Sequence, residues 1–240
     1  MFQQKRPPRA SLQVRLLRNF DATLRELRDQ GATESLEALA ACLTAYTRRS
    51  RLKELGFAVV LGLFLAGLLL VQISPFVFLV GSIVLGAIFW GPVRDQLNPT
   101  REVLLRATIA LLDGLTRTDL PGLFALLHAL ERGRPDSNNL ERRVRFAALR
   151  LLSKNLIQTP HGELAQLTAE NRRLLGRELK RLLRRPTGQA DLDIELPLRL
   201  FVVLTELREP GLHTQTTLAL AHTEERLQEA AREYQATLNP

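Results

Sequence analysis

The sequence predicts an all-α protein in which a two-helix transmembrane hairpin anchors a cytoplasmic α-helical domain. Three observations carry this expectation. Thirty-six consecutive residues, Gly56 to Gly91, bear no charged side chain, and Ser74-Pro75 divides them nearly in half. Elsewhere apolar residues recur at three- and four-residue spacing, the mark of helices with one buried face. No segment alternates with period two for long, and Val and Ile are sparse outside the apolar run, so no strand pattern emerges.

Residues 1–10, with Lys5, Pro7, Pro8 and Arg9, read as a disordered basic tail. Leu12, Leu16, Phe20, Leu24 and Leu27 then mark an amphipathic helix ending near Gly31. Leu36, Leu39, Leu43 and Tyr46 mark a second helix, which continues towards the membrane through Leu52 and Leu55. Residues 11–54 thus form an N-terminal cytoplasmic helical hairpin, too small to stand as an independent domain.

Residues 55–93 form the transmembrane hairpin. As one helix, the charge-free run would extend about 54 Å at 1.5 Å per residue, against a hydrocarbon core of about 30 Å. Split at Ser74-Pro75, it gives spans near Leu55–Ile73 and Phe76–Val93, each roughly 27 Å long. Pro75 lacks an amide donor and pushes Ser74 from helical dihedrals, which suits the start of a second helix after a tight turn. Arg48, Arg49, Arg51 and Lys53 precede the first span, and Arg94, Arg101 and Arg106 follow the second. Positive flanks stay inside, so the reading is an inner-membrane protein with both termini cytoplasmic and with Phe89 and Trp90 at the inner interface. Arms this short also fit a wedge that enters and leaves one leaflet.

Gly62 with Ala66, and Ser82 with Gly86, stand four residues apart and permit close helix packing in the membrane. That packing joins either the two arms or two copies of the chain. The run holds no ionisable residue, and such residues ordinarily mark ion or substrate pathways. Two uncharged helices suit an anchor.

Residues 94–240 form the cytoplasmic domain, long enough for one hydrophobic core. Asn98-Pro99 opens a helix through Leu104, Ala107, Leu111 and Leu115. Thr118, Asp119 and Pro121 open another, which ends at Gly133. Asn138 and Glu141 resemble a capping box before a helix to about Ile157. Thr168 starts a helix to Arg185, closed by Pro186 and Gly188. Asp191 or Asp193 caps Ile194–Leu207, whose apolar Leu200–Leu204 stretch predicts a central position. A last helix runs from about Thr214 to Leu238, with Leu220, Leu227, Ala231, Tyr234 and Leu238 on one face.

Within residues 119–157, Leu120-Pro121-x-Leu123, Leu126, Leu127 and Leu130 precede Val144-Arg145-x-Ala147-Ala148-x-x-Leu151-Leu152. This resembles a HEAT/armadillo-type helical repeat, with an LPxL start in the first helix and a VRxxA-like stripe in the second. The resemblance implies a stacked solenoid and a protein-binding surface. A second candidate, Leu167–Leu183 with Ile194–Leu207, lacks the Val-Arg pair and has a longer turn. An irregular helical bundle remains the alternative architecture.

The chain carries 33 Lys+Arg against 25 Asp+Glu, a formal charge of +8. Residues 1–55 hold 11 basic and 6 acidic side chains, and residues 92–240 hold 22 and 19, so the differences of +5 and +3 account for the total. The excess is densest beside the membrane, where anionic headgroups reward it by about 1 kcal/mol per residue. Basic residues are nearly all Arg, a compositional habit of GC-rich bacterial genomes. Cys42 stands alone, which excludes an internal disulfide and fits a packed thiol in a reducing compartment.

No catalytic constellation is present. The histidines, His128, His161, His213 and His222, form no metal-ligand spacing, with His128 and Glu131 reading as a surface pair. There is no nucleophile elbow and no phosphate-binding glycine loop, so neither an enzyme nor a cofactor is expected. The strongest charged feature is the ridge Arg173, Arg177, Lys180 or Arg181, and Arg184, opposite Leu175, Leu179 and Leu182. Such a ridge suits anionic lipid headgroups or an acidic partner, or it is a solvated face neutralised by neighbouring acids. Nucleic acid is disfavoured, because no aromatic residue between Phe146 and Phe201 is available to stack a base. The acidic residues Glu224, Glu225, Glu229 and Glu233 offer an answer to the ridge, within the chain or between copies.

The function expected is a non-catalytic membrane-anchored scaffold or adaptor that binds a protein partner, with homo-oligomers allowed. Two other classes fit the same residues: a lipid-binding or membrane-remodelling protein, and an accessory subunit of a membrane enzyme or transporter.

Overall fold

The computed structural model describes residues 9–71, 99–115, 120–131, 139–184 and 190–238. Among them the chain is all-α, without a strand. The helices are α1 (Arg9–Arg18), α2 (Phe20–Asp29), α3 (Ala32–Val71), α4 (Pro99–Asp113), α5 (Leu120–Glu131) and α6 (Asn139–Gln158). They continue with α7 (His161–Leu164), α8 (Ala169–Leu183), α9 (Ala190–Glu206), α10 (His213–Leu220) and α11 (Glu225–Leu238).

The helices pack as successive pairs. α3 lies on α5, and α4 lies on α6. α6 in turn packs on α9, and α9 on α11, while α8 packs on α10. α5 meets α8 through side chains: His128 Nε2 lies 3.0 Å from Asn171 Oδ1, and Arg177 reaches Glu131. Two rows result, α3–α5–α8–α10 and α4–α6–α9–α11, with α1 and α2 packed on α3 and α4. Each amphipathic helix buries its stripe against its pair and against the next pair.

The 11–54 and 94–240 segments share one hydrophobic core. Leu16, Leu36 and Leu39 from the first join Leu105, Leu127, Leu152 and Phe201 from the second, all nearly inaccessible. α3 and α5 approach closely at Gly122, where an added Cβ would stand 3.3 Å from Thr33 Cα and 3.3 Å from Leu36 Cβ. A backbone atom cannot yield as a side chain does, so this contact sets the spacing of the two helices.

α3 is one uninterrupted helix of 40 residues, about 60 Å long. Its first turns carry core residues Leu36, Leu39, Ala40 and Leu43. Further on, Leu52 and Leu55, just before the charge-free run, and Val59, inside it, are about 60% exposed. Among the described residues no helix is long and apolar enough to cross a membrane. Gly56 to Val71 makes only about 24 Å of helix, less than a hydrocarbon core of about 30 Å. The turn at Ser74-Pro75 and the second span, Phe76–Val93, lie outside the described residues, as do Phe89 and Trp90.

Several expected boundaries move. The first amphipathic helix begins at Arg9, inside the expected 1–10 tail, and breaks at Asn19, whose φ of −140° and ψ of 73° interrupt the ladder. α9 starts at Ala190, so Asp191 and Asp193 lie within it rather than capping it. Val202 is partly exposed, so the Leu200–Leu204 stretch is central only through Leu200, Phe201, Val203 and Leu204. The last helix is two, because the chain turns between Leu220 and Glu225. There His222 Nδ1 accepts from the Glu224 amide at 3.1 Å, and Gln228 Nε2 donates to the His222 carbonyl at 2.8 Å. These bonds replace the helical partners that the break removes.

Candidate functional site

The ridge is carried by α8, whose start is fixed by its sequence. Thr168 is the N-cap, and its hydroxyl accepts from the Asn171 amide at 3.2 Å. Arg172, close behind, donates through Nε to the Leu167 carbonyl at 3.0 Å and through Nη2 to that of Ala165 at 3.2 Å. It ties α8 to the short α7.

At about 100° per residue, Arg173, Arg177, Lys180 and Arg184 project within roughly 60° of one another over about 16 Å of helix. Arg173, Arg177 and Arg184 are exposed and Lys180 is half-buried. Arg181 departs from the stripe and turns inward, its Nη1 2.7 Å from Glu178 Oε1. Arg177 Nε pairs with Glu131 Oε1 of α5 at 2.9 Å. Among the described residues, Arg173, Lys180 and Arg184 take no such partner. The opposite face buries Leu174, Leu175, Leu179 and Leu183, and the expected Leu182 is only half-buried. None of Glu224, Glu225, Glu229 and Glu233 on the α10–α11 side pairs with the ridge among the described residues.

Beside the ridge lies an open groove of about 630 Å³. One wall is α8, with Glu170, Arg172, Arg173 and Arg177; the other holds Glu209 and Gln215. The second wall belongs to the turn between α9 and α10, where Arg208 (φ 46°) and Gly211 (φ 84°) both adopt the left-handed region. Tyr234 of α11 holds that turn. Its hydroxyl donates to the Glu209 carbonyl at 2.6 Å and accepts from the Leu212 amide at 3.4 Å. Its ring stands edge-on to Phe201, with centroids 5.7 Å apart and planes at 71°. Burial pushes the Tyr234 hydroxyl above its ordinary pKa. At the groove floor, Gln215 Nε2 donates to the Gly176 carbonyl at 2.9 Å. A Cβ on Gly176 would stand 3.1 Å from Leu212 Cδ2, so glycine lets α8 and α10 close to this distance.

Behind the ridge, on the inner side of α8, runs a buried charge network that local spacing did not reveal. Arg145 of α6 places Nη1 2.5 Å from Glu178 Oε1 and donates through Nη2 to the Leu130 carbonyl at 3.0 Å. Glu141, one turn earlier, bonds to Arg101 of α4 and lies 3.8 Å from Arg145. The other member of the expected capping box, Asn138, lies outside the described residues. Glu141 Oε1 and Glu178 Oε2 are buried without a hydrogen-bond partner among the described residues. Burial pushes the Glu141 carboxyl above its usual range, although Arg101, Arg145 and Arg181 all pull it down. A usable signal was present, since Glu141, Arg145, Ala148 and Leu152 share one helical face. Charges on an apolar stripe ask for partners.

The remaining expected residues are scattered. Arg48, Arg49, Arg51 and Lys53 lie on α3, with Arg48 exposed. Gly62 and Ala66 also lie on α3, and a Cβ on Gly62 would meet nothing within 4 Å among the described residues. Arg94, Ser82 and Gly86 lie outside the described residues. Cys42 is buried in the core. His128 is bonded to Asn171 across two helices rather than forming only a surface pair with Glu131. Among the described residues, no three His, Cys, Asp or Glu side chains gather as a metal site would require.

Comparison with protein-family models, with curated proteins and with solved structures found no match to this chain.

Proposed function

We propose that the protein is a membrane-anchored helical scaffold that binds a protein partner at the cytoplasmic face of the inner membrane. The observation that carries this reading is the continuity of α3. Its first turns are embedded in the core by Leu36, Leu39 and Leu43, and the same helix carries the chain into the charge-free run. An anchor joined through a continuous helix holds its cargo-binding body close to the bilayer without a flexible linker. Tethering raises the effective concentration of any partner held at the same membrane.

The exposure of Leu52, Leu55 and Val59 supports the same reading. They stand at i, i+3 and i+7, a face that needs apolar cover once α3 leaves the core. In a membrane, lipid supplies that cover. The two rows of stacked helix pairs support a HEAT-like solenoid over an irregular bundle, and such arrays present long surfaces to partners.

Two experiments test the reading. Alkaline extraction, with labelling of a cysteine placed at Ser74, should leave the protein in the membrane and label it from outside. Resistance to extraction without outside labelling would move the hairpin to a one-leaflet wedge. Crosslinking in intact membranes, then gentle purification, should recover a stoichiometric partner; only homo-oligomers with bound lipid would overturn the scaffold reading. A larger membrane enzyme or transporter as that partner would sharpen the assignment to an accessory subunit.

A further inference from the structure

We infer that the groove beside α8, together with the Arg173–Arg184 stripe, receives an acidic polypeptide segment of the partner protein. The inference rests on the scaffold reading and names the partner's chemistry.

Charge selects the sign of the ligand. Four cations lie in line over about 16 Å, and only Arg177 has an acidic partner among the described residues. That pair uses Nε and leaves the two terminal nitrogens of Arg177 open to a ligand. Arg173, next along the stripe, lines the groove with its whole guanidinium uncommitted among the described residues. Guanidinium groups take carboxylates in two-point contacts, which suits aspartate and glutamate side chains.

Shape and the opposing charges select the class of ligand. A bilayer surface is flat on this scale, whereas the groove is concave, walled by α8 and by the turn that Tyr234 pins. A volume of about 630 Å³ admits several side chains. The groove also holds Glu170 and Glu209. They repel a uniformly anionic lipid sheet or a phosphate backbone, but they tolerate a peptide whose acids are spaced and whose amides or cations face the two glutamates. The matching segment is a helix with acids at i, i+4, i+7 and i+11, the spacing of the stripe itself.

The test uses the full chain in nanodiscs of zwitterionic lipid. The probe is a fluorescent Ala/Gln-based helical peptide carrying four glutamates at that spacing. Its control has the same composition with the four glutamates adjacent. Anisotropy should show saturable binding of the spaced peptide at least about tenfold tighter than the control. In Arg173→Glu/Lys180→Glu, changed only at exposed or half-buried positions, that affinity should fall by about tenfold or more. Equal binding of the two peptides, or unchanged binding by the double variant, would overturn the inference. So would loss of binding to vesicles rich in phosphatidylserine while the peptide affinity stays as in the wild type. The co-purified partner separates this failure from failure of the scaffold: if the double variant still recovers it, the scaffold stands and the groove is not its site.

Discussion

α8 carries charge on two sides, and the two sides obey different physics. On its outer face, Arg173, Arg177 and Arg184 stand in solvent. On its inner face, Glu178 is about 1% exposed and holds Arg145, which also binds the Leu130 carbonyl. Exposed pairs such as Arg177–Glu131 contribute about 0–1 kcal/mol, because water competes for both partners. The inner pair has no water to fall back on, so removing one member strands the other. One helix therefore offers a surface free to change partners, mounted on a network that is not.

The sharpest break of this contrast is Arg145→Ala. It leaves Glu178 with Arg181 alone, Glu141 with Arg101 alone, and the Leu130 carbonyl without its donor. The expected loss is about 3–5 kcal/mol, a fall in Tm of roughly 10 °C for a body of this size. Thermal denaturation in detergent checks it. The joint change Arg145→Met/Glu178→Leu removes both charges and should lie much closer to wild type. If the single and joint variants are equally damaged, packing rather than charge holds α6 to α8.

The pH dependence of Glu141 sharpens the same point at smaller amplitude. Its carboxyl is raised in the folded state by burial. A raised acid contributes stability that is fully present below the unfolded value, 4.5, and is lost as pH rises through the folded value. The stability of wild type relative to Glu141→Gln should therefore decline upward from about pH 4.5 and then level off. Urea unfolding at a series of pH values measures this. A difference that grows with pH would mean that Arg101 and Arg145 outweigh burial.

Much of this was legible along the chain. The Thr168 cap, the helix that runs from Leu36 into the apolar segment, and the cation stripe all follow from neighbours within a few residues. What was hidden depended on distant partners. Glu141 has the type and position of a capping residue, and its burial beside Arg101, 40 positions away, could not be read from its neighbours in sequence. The break after Leu220 was hidden because Leu220 and Leu227 are two helical turns apart, so the apolar face keeps its register across the gap. The groove joins residues near 172 and 212 through a tyrosine at 234, and no local pattern announces such a meeting.

Tyr234→Phe probes how firmly the groove's second wall is held. The ring contact with Phe201 survives, but the Glu209 carbonyl loses its donor and the Leu212 amide its acceptor. The expected cost is about 1–2 kcal/mol. It should be localised: the Leu212 amide should exchange faster while amides of α6 stay protected. Uniformly faster exchange would show that Tyr234 supports the whole stack instead of the turn.

The smallest effect on folding belongs to the ridge. Arg177→Glu sets a carboxylate against Glu131 at the position where a guanidinium stood 2.9 Å away, but Arg177 is more than half exposed. Both side chains can swing into water, so stability should change by no more than about 0.5–1 kcal/mol. Partner recovery after crosslinking should nevertheless fall, since the stripe reverses sign at its centre. A fold loss comparable to Arg145→Ala would erase the distinction between the two sides of α8. An unchanged fold with unchanged partner and liposome binding would leave the ridge as solvated surface, and partner recognition would then lie elsewhere along the helical rows.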